Sequence, residues 1–245
     1  MDTTDYAFFI QDNWQPNEKL TINYGVRYDY QENPDFDFYN PDANILPWWS
    51  DDDADRYNPT KIVPDDTDNI GPRIGIAWTP FEDQKTVVRA GWGVFYNRIS
   101  SILLAQALSN NGYRIVTMDI SPSDPNFPDY PNRIPNLPEG DTLTPNIYCF
   151  APDYEHPETN RFSLGVEQEL LEDFSVAVEG IYSKTTHLER KMDINLKMPE
   201  YDENTGRYMY SRVKRNLDFG KIVQFTDDAE AEYYAVNLKI NKRFS

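Results

Sequence analysis

Glu167 and Glu169 stand two residues apart in a segment that alternates polar and apolar residues, so both carboxylates point the same way along a strand. At a rise of about 3.3 Å per residue they are close enough to divide acid and base roles in glycoside hydrolysis. The same spacing also describes two polar positions on a wall, which is the plainer reading. Histidine is scarce. His187, among Thr185, Thr186, Glu189 and Arg190, reads as a rim residue, and His156 precedes a proline in coil with no partner that sequence supplies. Cys149 is the single cysteine, which excludes an internal disulfide and a multi-cysteine zinc site. Asp51, Asp52, Asp53 and Asp55, with Asp65, Asp66 and Asp68 nearby, invite calcium. Against the EF-hand register, however, Arg56 falls where the loop glycine belongs and Ile62 where the bidentate glutamate belongs. A solvated acidic loop is the default. Trp48, Trp49, Tyr57, Tyr130, Tyr148, Phe150 and Tyr154 could stack on a sugar or peptide, although such residues more often pack loops on one another. With no phosphate loop, nucleophile elbow or zinc motif, we expect no enzyme, no catalytic, cofactor-binding or metal residue, and no cofactor.

The elements that must position these residues are strands. In Lys19–Gln31, Leu20, Ile22, Tyr24, Val26, Tyr28 and Tyr30 alternate with Thr21, Asn23, Gly25, Arg27, Asp29 and Gln31. The pattern returns in Thr86–Arg98, Thr159–Leu170 and the last segment around Tyr234, Val236, Leu238 and Ile240. Arg73–Thr79 and Phe174–Ser183 are shorter versions, and Asp5–Trp14 is the least regular. These predict seven strands. Their links alternate in length: Gln15–Glu18, Pro80–Lys85 and Leu171–Asp173 are turns, whereas 32–68, 99–158 and 191–232 are long. Three long loops on one end exceed what a compact domain usually carries. Inside the second loop Ser101–Leu108 predicts a short helix with Ser100 as N-cap. The proline-dense Asp119–Pro157 predicts extended coil, and Met209–Phe225 an extra hairpin.

Charge sorts with the loops. The 245 residues carry 41 acids against 23 bases, a net charge of −18. Such acidity argues against nucleic acid and anionic membrane surfaces as partners. Loop 32–68 holds 11 acids and 2 bases, loop 99–158 holds 8 and 2, and loop 191–232 holds 9 and 7, so these three carry all but one of the net negative charges. No run of about 18 apolar residues is present, so no helix spans a membrane. One apolar strand face fits either the core of a soluble secreted β-sandwich that binds carbohydrate or another ligand, or the lipid face of a transmembrane barrel. Strand length, aromatics and glycines favour the barrel. Two strands of thirteen residues exceed the globular mode of about 5–6 and meet the membrane requirement of about 9–11. Trp14, Trp78 and Phe174 lie near the short turns, and Tyr28, Tyr30, Tyr96 and Tyr182 near the long loops, as interfacial girdles require. Gly25, Gly75, Gly91, Gly93 and Gly165 recur on the polar face, where a strongly curved wall or a close-packed plug leaves little room. The expected fold is all-β: an antiparallel up-and-down meander of about seven long strands forming part of a transmembrane β-barrel.

The segments YAFFIQDNWQPNEKLTINYGVRYDY, NIGPRIGIAWTPFEDQKTVVRAGWGVFYN and ETNRFSLGVEQELLEDFSVAVEGIYSKTTHL resemble the barrel of TonB-dependent outer-membrane receptors, in particular the Oar-like branch. The resemblance implies a barrel of about 22 strands around a plug, in the bacterial cell outer membrane, driven by a TonB-type energy-transducing protein to import scarce nutrients. Its partners would be outer-membrane lipid, the plug and remaining strands, and an extracellular ligand. The sequence lacks the family's leader, TonB box and plug, and ends in KRFS rather than a terminal aromatic. It therefore reads, over 1–245, as an internal piece of the barrel.

Overall fold

The computed structural model describes residues 2–34, 37–123, 127, 144–211 and 213–242. Its elements are β1 (Thr4–Asn17), β2 (Leu20–Glu32), β3 (Ile70–Trp78), β4 (Thr86–Tyr96), α1 (Ser101–Ser109), β5 (Ile147–Phe150), β6 (Glu158–Leu171), β7 (Phe174–Asp193), β8 (Glu200–Asp202), β9 (Arg207–Met209) and β10 (Ile222–Lys242). Single turns of 3₁₀ helix cover Asp53–Asp55 and Pro59–Lys61. One sheet runs in the order β1-β2-β3-β4-β6-β7-β10-β5. The seven predicted strands are its long members, each antiparallel to the next. The eighth, β5, lies parallel to the start of β10.

Period-two alternation turns one side chain in two to each face, and the register carries that choice across the sheet. Tyr24, Ile74, Trp92, Phe162, Tyr182 and Tyr234 face one another in one row across six strands. Successive rings of its last four members lie 6.2, 6.4 and 4.9 Å apart. The next rows are mostly aliphatic: Ile22, Ile76, Ala90, Leu164, Gly180 and Val236, then Leu20, Trp78, Val88, Val166, Val178 and Leu238. Among the described residues no second sheet covers these side chains, and most of the large ones are exposed. A sandwich would bury this face; here the sheet is a single layer.

The short turns match their predicted places, with Gln84 and Asp173 supplying the positive φ that tight reversals need. On the polar face, a Cβ at Gly25 would stand 2.6 Å from the Ile10 carbonyl oxygen, so β1 and β2 close on each other too tightly for any side chain. Gly75 has open space around it, so crowding does not explain that glycine.

The long-loop end departs most from expectation. β7 and β10 run 20 and 21 residues and climb past the other strands, so the third loop is 194–221 rather than 191–232. The extra hairpin is β8–β9, earlier than Met209–Phe225, whose last residues belong to β10. Within the predicted coil Asp119–Pro157, Ile147–Phe150 is a strand; residues 124–126 and 128–143 lie outside the described ones, as do 243–245. The helix forms where predicted, but Ser100 makes no side-chain cap hydrogen bond.

The loops also have a core, which the sheet itself lacks. Ile99, Leu103, Leu104, Ala107, Phe150, Ala151, Tyr154 and Phe225 form one cluster. Ala43, Ile45, Ile147, Cys149, Ile194, Phe219 and Ile222 form another. Phe225 is fully buried, 5.0 Å from the Phe150 ring. Phe225→Ala is expected to destabilise this head by about 3–5 kcal/mol, read as loop proteolysis at lower temperature while the strands stay folded.

Candidate functional site

Two regions gather polar chemistry: the polar face of the sheet and the head formed by the long loops. On the polar face Gln11, Asn23, Arg27, Arg73, Arg161 and Ser163 line a concavity of about 900 Å³. Arg27 Nε donates to both Asp29 carboxylate oxygens, at 2.9 and 2.8 Å, and Arg89 reaches Glu167 at 2.8 Å. Arg73 lies 4.5 Å over the Phe95 ring. Among the described residues neither Arg73 nor Arg161 has a carboxylate partner. Glu167 is thus a polar wall position tied to Arg89, and Glu169 is exposed near the short-turn end.

The head is held by asparagines. Asn40 Nδ2 donates to the Asn111 carbonyl at 2.9 Å, joining the first loop to the second. Asn195 Nδ2 donates to the Asn216, Phe219 and Gly220 carbonyls at 2.9–3.0 Å, closing the third loop on itself. The Leu46 N–H donates to Asn216 Oδ1 at 2.8 Å, tying the first loop to the third. Arg215 donates to the Pro47 carbonyl and to Asp51 at 2.9 Å.

His156, for which the sequence supplied no partner, meets Asp66, Gln31 and Asn69. It is buried with Asp66: its backbone N–H donates to Asp66 Oδ2 at 2.7 Å, and Nδ1 stands 2.9 Å from the same oxygen. Nε2 stands 3.2 Å from Gln31 Oε1. The Ile99 N–H also donates to that oxygen, at 2.9 Å, while Gln31 Nε2 donates to the Ile99 carbonyl, which fixes the amide's orientation. Both ring nitrogens therefore face oxygen atoms, and the Asn69 amide nitrogen stands 3.2 Å from Nδ1 as well. Burial pushes the Asp66 carboxyl up, but the hydrogen bonds from His156 outweigh it and hold it well below the usual carboxylate range. This knot joins the top of β2, the end of the first loop, the start of α1 and the approach to β6.

The acidic run Asp51–Asp55 is spent on local structure. Asp52 caps the 3₁₀ turn, Arg56 pairs with Asp53 at 2.9 Å and Ser50 bonds Asp55. The aromatic residues mostly pack the loops. Trp49 and Tyr57 rings lie 5.8 Å apart, Tyr148 and Phe150 pack on Phe225, and Tyr154 packs edge-on against Phe150. Trp48 and Trp49 remain exposed at the loop surface, and Tyr130 lies outside the described residues. His187 does sit at the rim, yet its neighbours are Glu155 and Asp227, at 3.3 and 3.1 Å, rather than Glu189 or Arg190. Sequence reasoning missed these partners because they come from segments 32 and 40 residues away.

A family model described as an outer membrane beta barrel domain matches residues 1–245. A search of curated proteins gives no match. Among solved structures, the chain is similar to the outer membrane transporter YddB from Escherichia coli, with a TM-score of 0.55 and 14% identity, over 97% of this chain and 21% of that one. It is similar to the siderophore receptor PirA from Acinetobacter baumannii, with a TM-score of 0.53 and 10% identity, over 99% and 26%. For a mutant of the ferric enterobactin receptor PfeA from Pseudomonas aeruginosa in complex with enterobactin, the TM-score is 0.52 at 10% identity, over 96% and 24%. At such identities the likeness is one of fold. The chain spans about a quarter or less of the length of these structures.

Proposed function

We propose that this chain, which belongs to the outer membrane beta barrel domain family, is wall and mouth of a TonB-dependent receptor that imports a scarce nutrient across the bacterial outer membrane. The apolar face is then the lipid face, the polar face lines the lumen, and the loop head is extracellular. One observation carries the reading: a single-layer sheet with an uncovered apolar face is open along β1 at one edge and along the lower part of β10 at the other. Unpaired strand edges call for further strands, and an uncovered apolar face calls for lipid. The structural neighbours support it, since their names are those of an outer membrane transporter and of siderophore receptors. The sequence phrases point further to the Oar-like branch.

In this reading 1–245 is part of a larger barrel whose remaining strands pair with β1 and β10. A plug domain sits against the lumenal face and couples to a TonB-type energy-transducing protein. Arg73 and Arg161, lacking carboxylate partners among the described residues, face the place where that plug would present acids. Ligand capture falls to the head, where the exposed Trp48 and Trp49 offer stacking surface. The test compares cells carrying the full-length protein with a strain lacking it, using ferric siderophores, haem, maltodextrins and short peptides as probes. At least one probe is expected to accumulate only when the protein is present, and a protonophore is expected to abolish that accumulation. Accumulation that survives the protonophore would make the protein a passive pore. Equal accumulation of every probe in both strains would sink the transport reading.

A further inference from the structure

We propose that Glu155, His187 and Asp227 form a binding site for a divalent transition cation at the rim of the mouth, with Zn²⁺ the best fit. The three come from separate segments: Glu155 from the approach to β6, His187 from the upper part of β7 and Asp227 from the upper part of β10. Their ligand atoms all lie within 4.8 Å of one another. His187 Nδ1 stands 3.1 Å from Asp227 Oδ2 and 3.3 Å from Glu155 Oε2. Two atoms each about 2.1 Å from a common tetrahedral ion stand about 3.4 Å apart, so the cluster is already near the size that holds one.

The backbone is built to aim these side chains. The β7–β10 ladder loses register between Thr226 and Ala229 and again between Ala229 and Ala231, opposite His187. Such bulges re-aim side chains at the edges of sheets. His187 itself adopts φ 55°, a conformation that costs a non-glycine residue energy. The Glu155 N–H donates to Asp227 Oδ2 at 3.2 Å and so orients that carboxylate from outside the ligand set.

The donor set selects the ion. An imidazole nitrogen with two carboxylate oxygens suits Zn²⁺ and its neighbours, whereas Ca²⁺ and Mg²⁺ take oxygen ligands. Three protein ligands leave one position for water or for a donor atom of a cargo molecule. Binding displaces any proton on Nδ1 into solvent. The bound ion would fasten the Glu155 segment to the β7–β10 strand pair, independently of what the barrel transports.

The site is tested by calorimetric titration of the full-length protein in detergent with ZnCl₂ alone, and by the absorption of Co²⁺ in its place. One Zn²⁺ per chain is expected. Its affinity should fall at least about tenfold in Glu155→Gln, His187→Gln and Asp227→Asn and hold in Asp51→Asn. The ligand-field bands of Co²⁺ should disappear with His187→Gln. Glu155 is exposed, so Glu155→Gln keeps the fold and decides the question if either other variant misfolds. Absence of stoichiometric Zn²⁺ binding, or wild-type affinity in Glu155→Gln, would show the cluster to be an ion pair only.

Discussion

Val236→Lys should cost the folded barrel about 2–4 kcal/mol, whereas Asn237→Lys, one residue away, should cost close to nothing. The two positions differ only in the face they present. Val236 is 79% exposed on the apolar face and lies in the row of Ala90, Leu164 and Gly180, one row short-turn-ward of the aromatic row through Trp92 and Tyr234. In a bilayer that row lies within the hydrocarbon, where an ammonium has no partner and no water. Asn237 faces the lumen and donates to Glu179 at 3.3 Å, so a lysine there meets a carboxylate in a wet channel. Because side chains alternate with a period of two, the pair is a direct readout of which face is outside. Unfolding titrations of the full-length protein in lipid vesicles, followed by its heat-modifiable gel mobility, measure the difference. Equal costs, or a larger cost at Asn237, would reverse or abolish the assignment of faces. A soluble protein carrying the same sheet would tolerate lysine at Val236, which water already reaches.

The wall was legible because its constraint is local. Each strand must put apolar side chains toward lipid at every second position, so Lys19–Gln31 and Thr86–Arg98 announce themselves within one or two residues of β2 and β4. That signal stops where the bilayer stops. The upper parts of β7 and β10 carry Lys184, Glu189, Asp227, Asp228 and Glu230 and bury Ile222 and Phe225 beneath the loops, so no lipid there requires alternation. Their pairing is set by the ladder begun below them, which no window of sequence displays. The head was less legible still. Ile45, Ile147 and Ile194 sit in three different loops and meet in one cluster, and the asparagines that satisfy the loop carbonyls look in sequence like ordinary turn residues. The acidity of these loops hides this order, since charge at the loop surface says nothing of the core beneath it.

Asp66 is the sharpest case of such a hidden residue, because in sequence it is one acid among Asp65, Asp66 and Asp68. In the fold its side chain is 6% exposed and that of His156 is 4%. Removing the buried Asp66 carboxylate leaves the His156 backbone N–H and ring nitrogen without that oxygen, at a cost of about 1–3 kcal/mol. Asp66→Asn is therefore expected to free the first loop from the approach to β6, seen as a lower unfolding temperature of the head and faster cleavage within 33–69. Changing both partners in Asp66→Asn with His156→Leu should cost less than the two single changes added together, since the two side chains share one contact. The pH dependence follows from the sign of the shift. The Asp66 carboxyl titrates lower in the folded protein than the ordinary value of about 3.9. Its stabilisation is therefore complete above that value and is lost as pH falls through the folded one. Wild-type head stability should drop as the pH is lowered below about 4, and Asp66→Asn should lack that part of the acid limb. Strict additivity of the two substitutions, or an unchanged acid limb in Asp66→Asn, would mean that the contact carries no coupling and that the packing of Ile99 and Tyr154 alone holds the rim together.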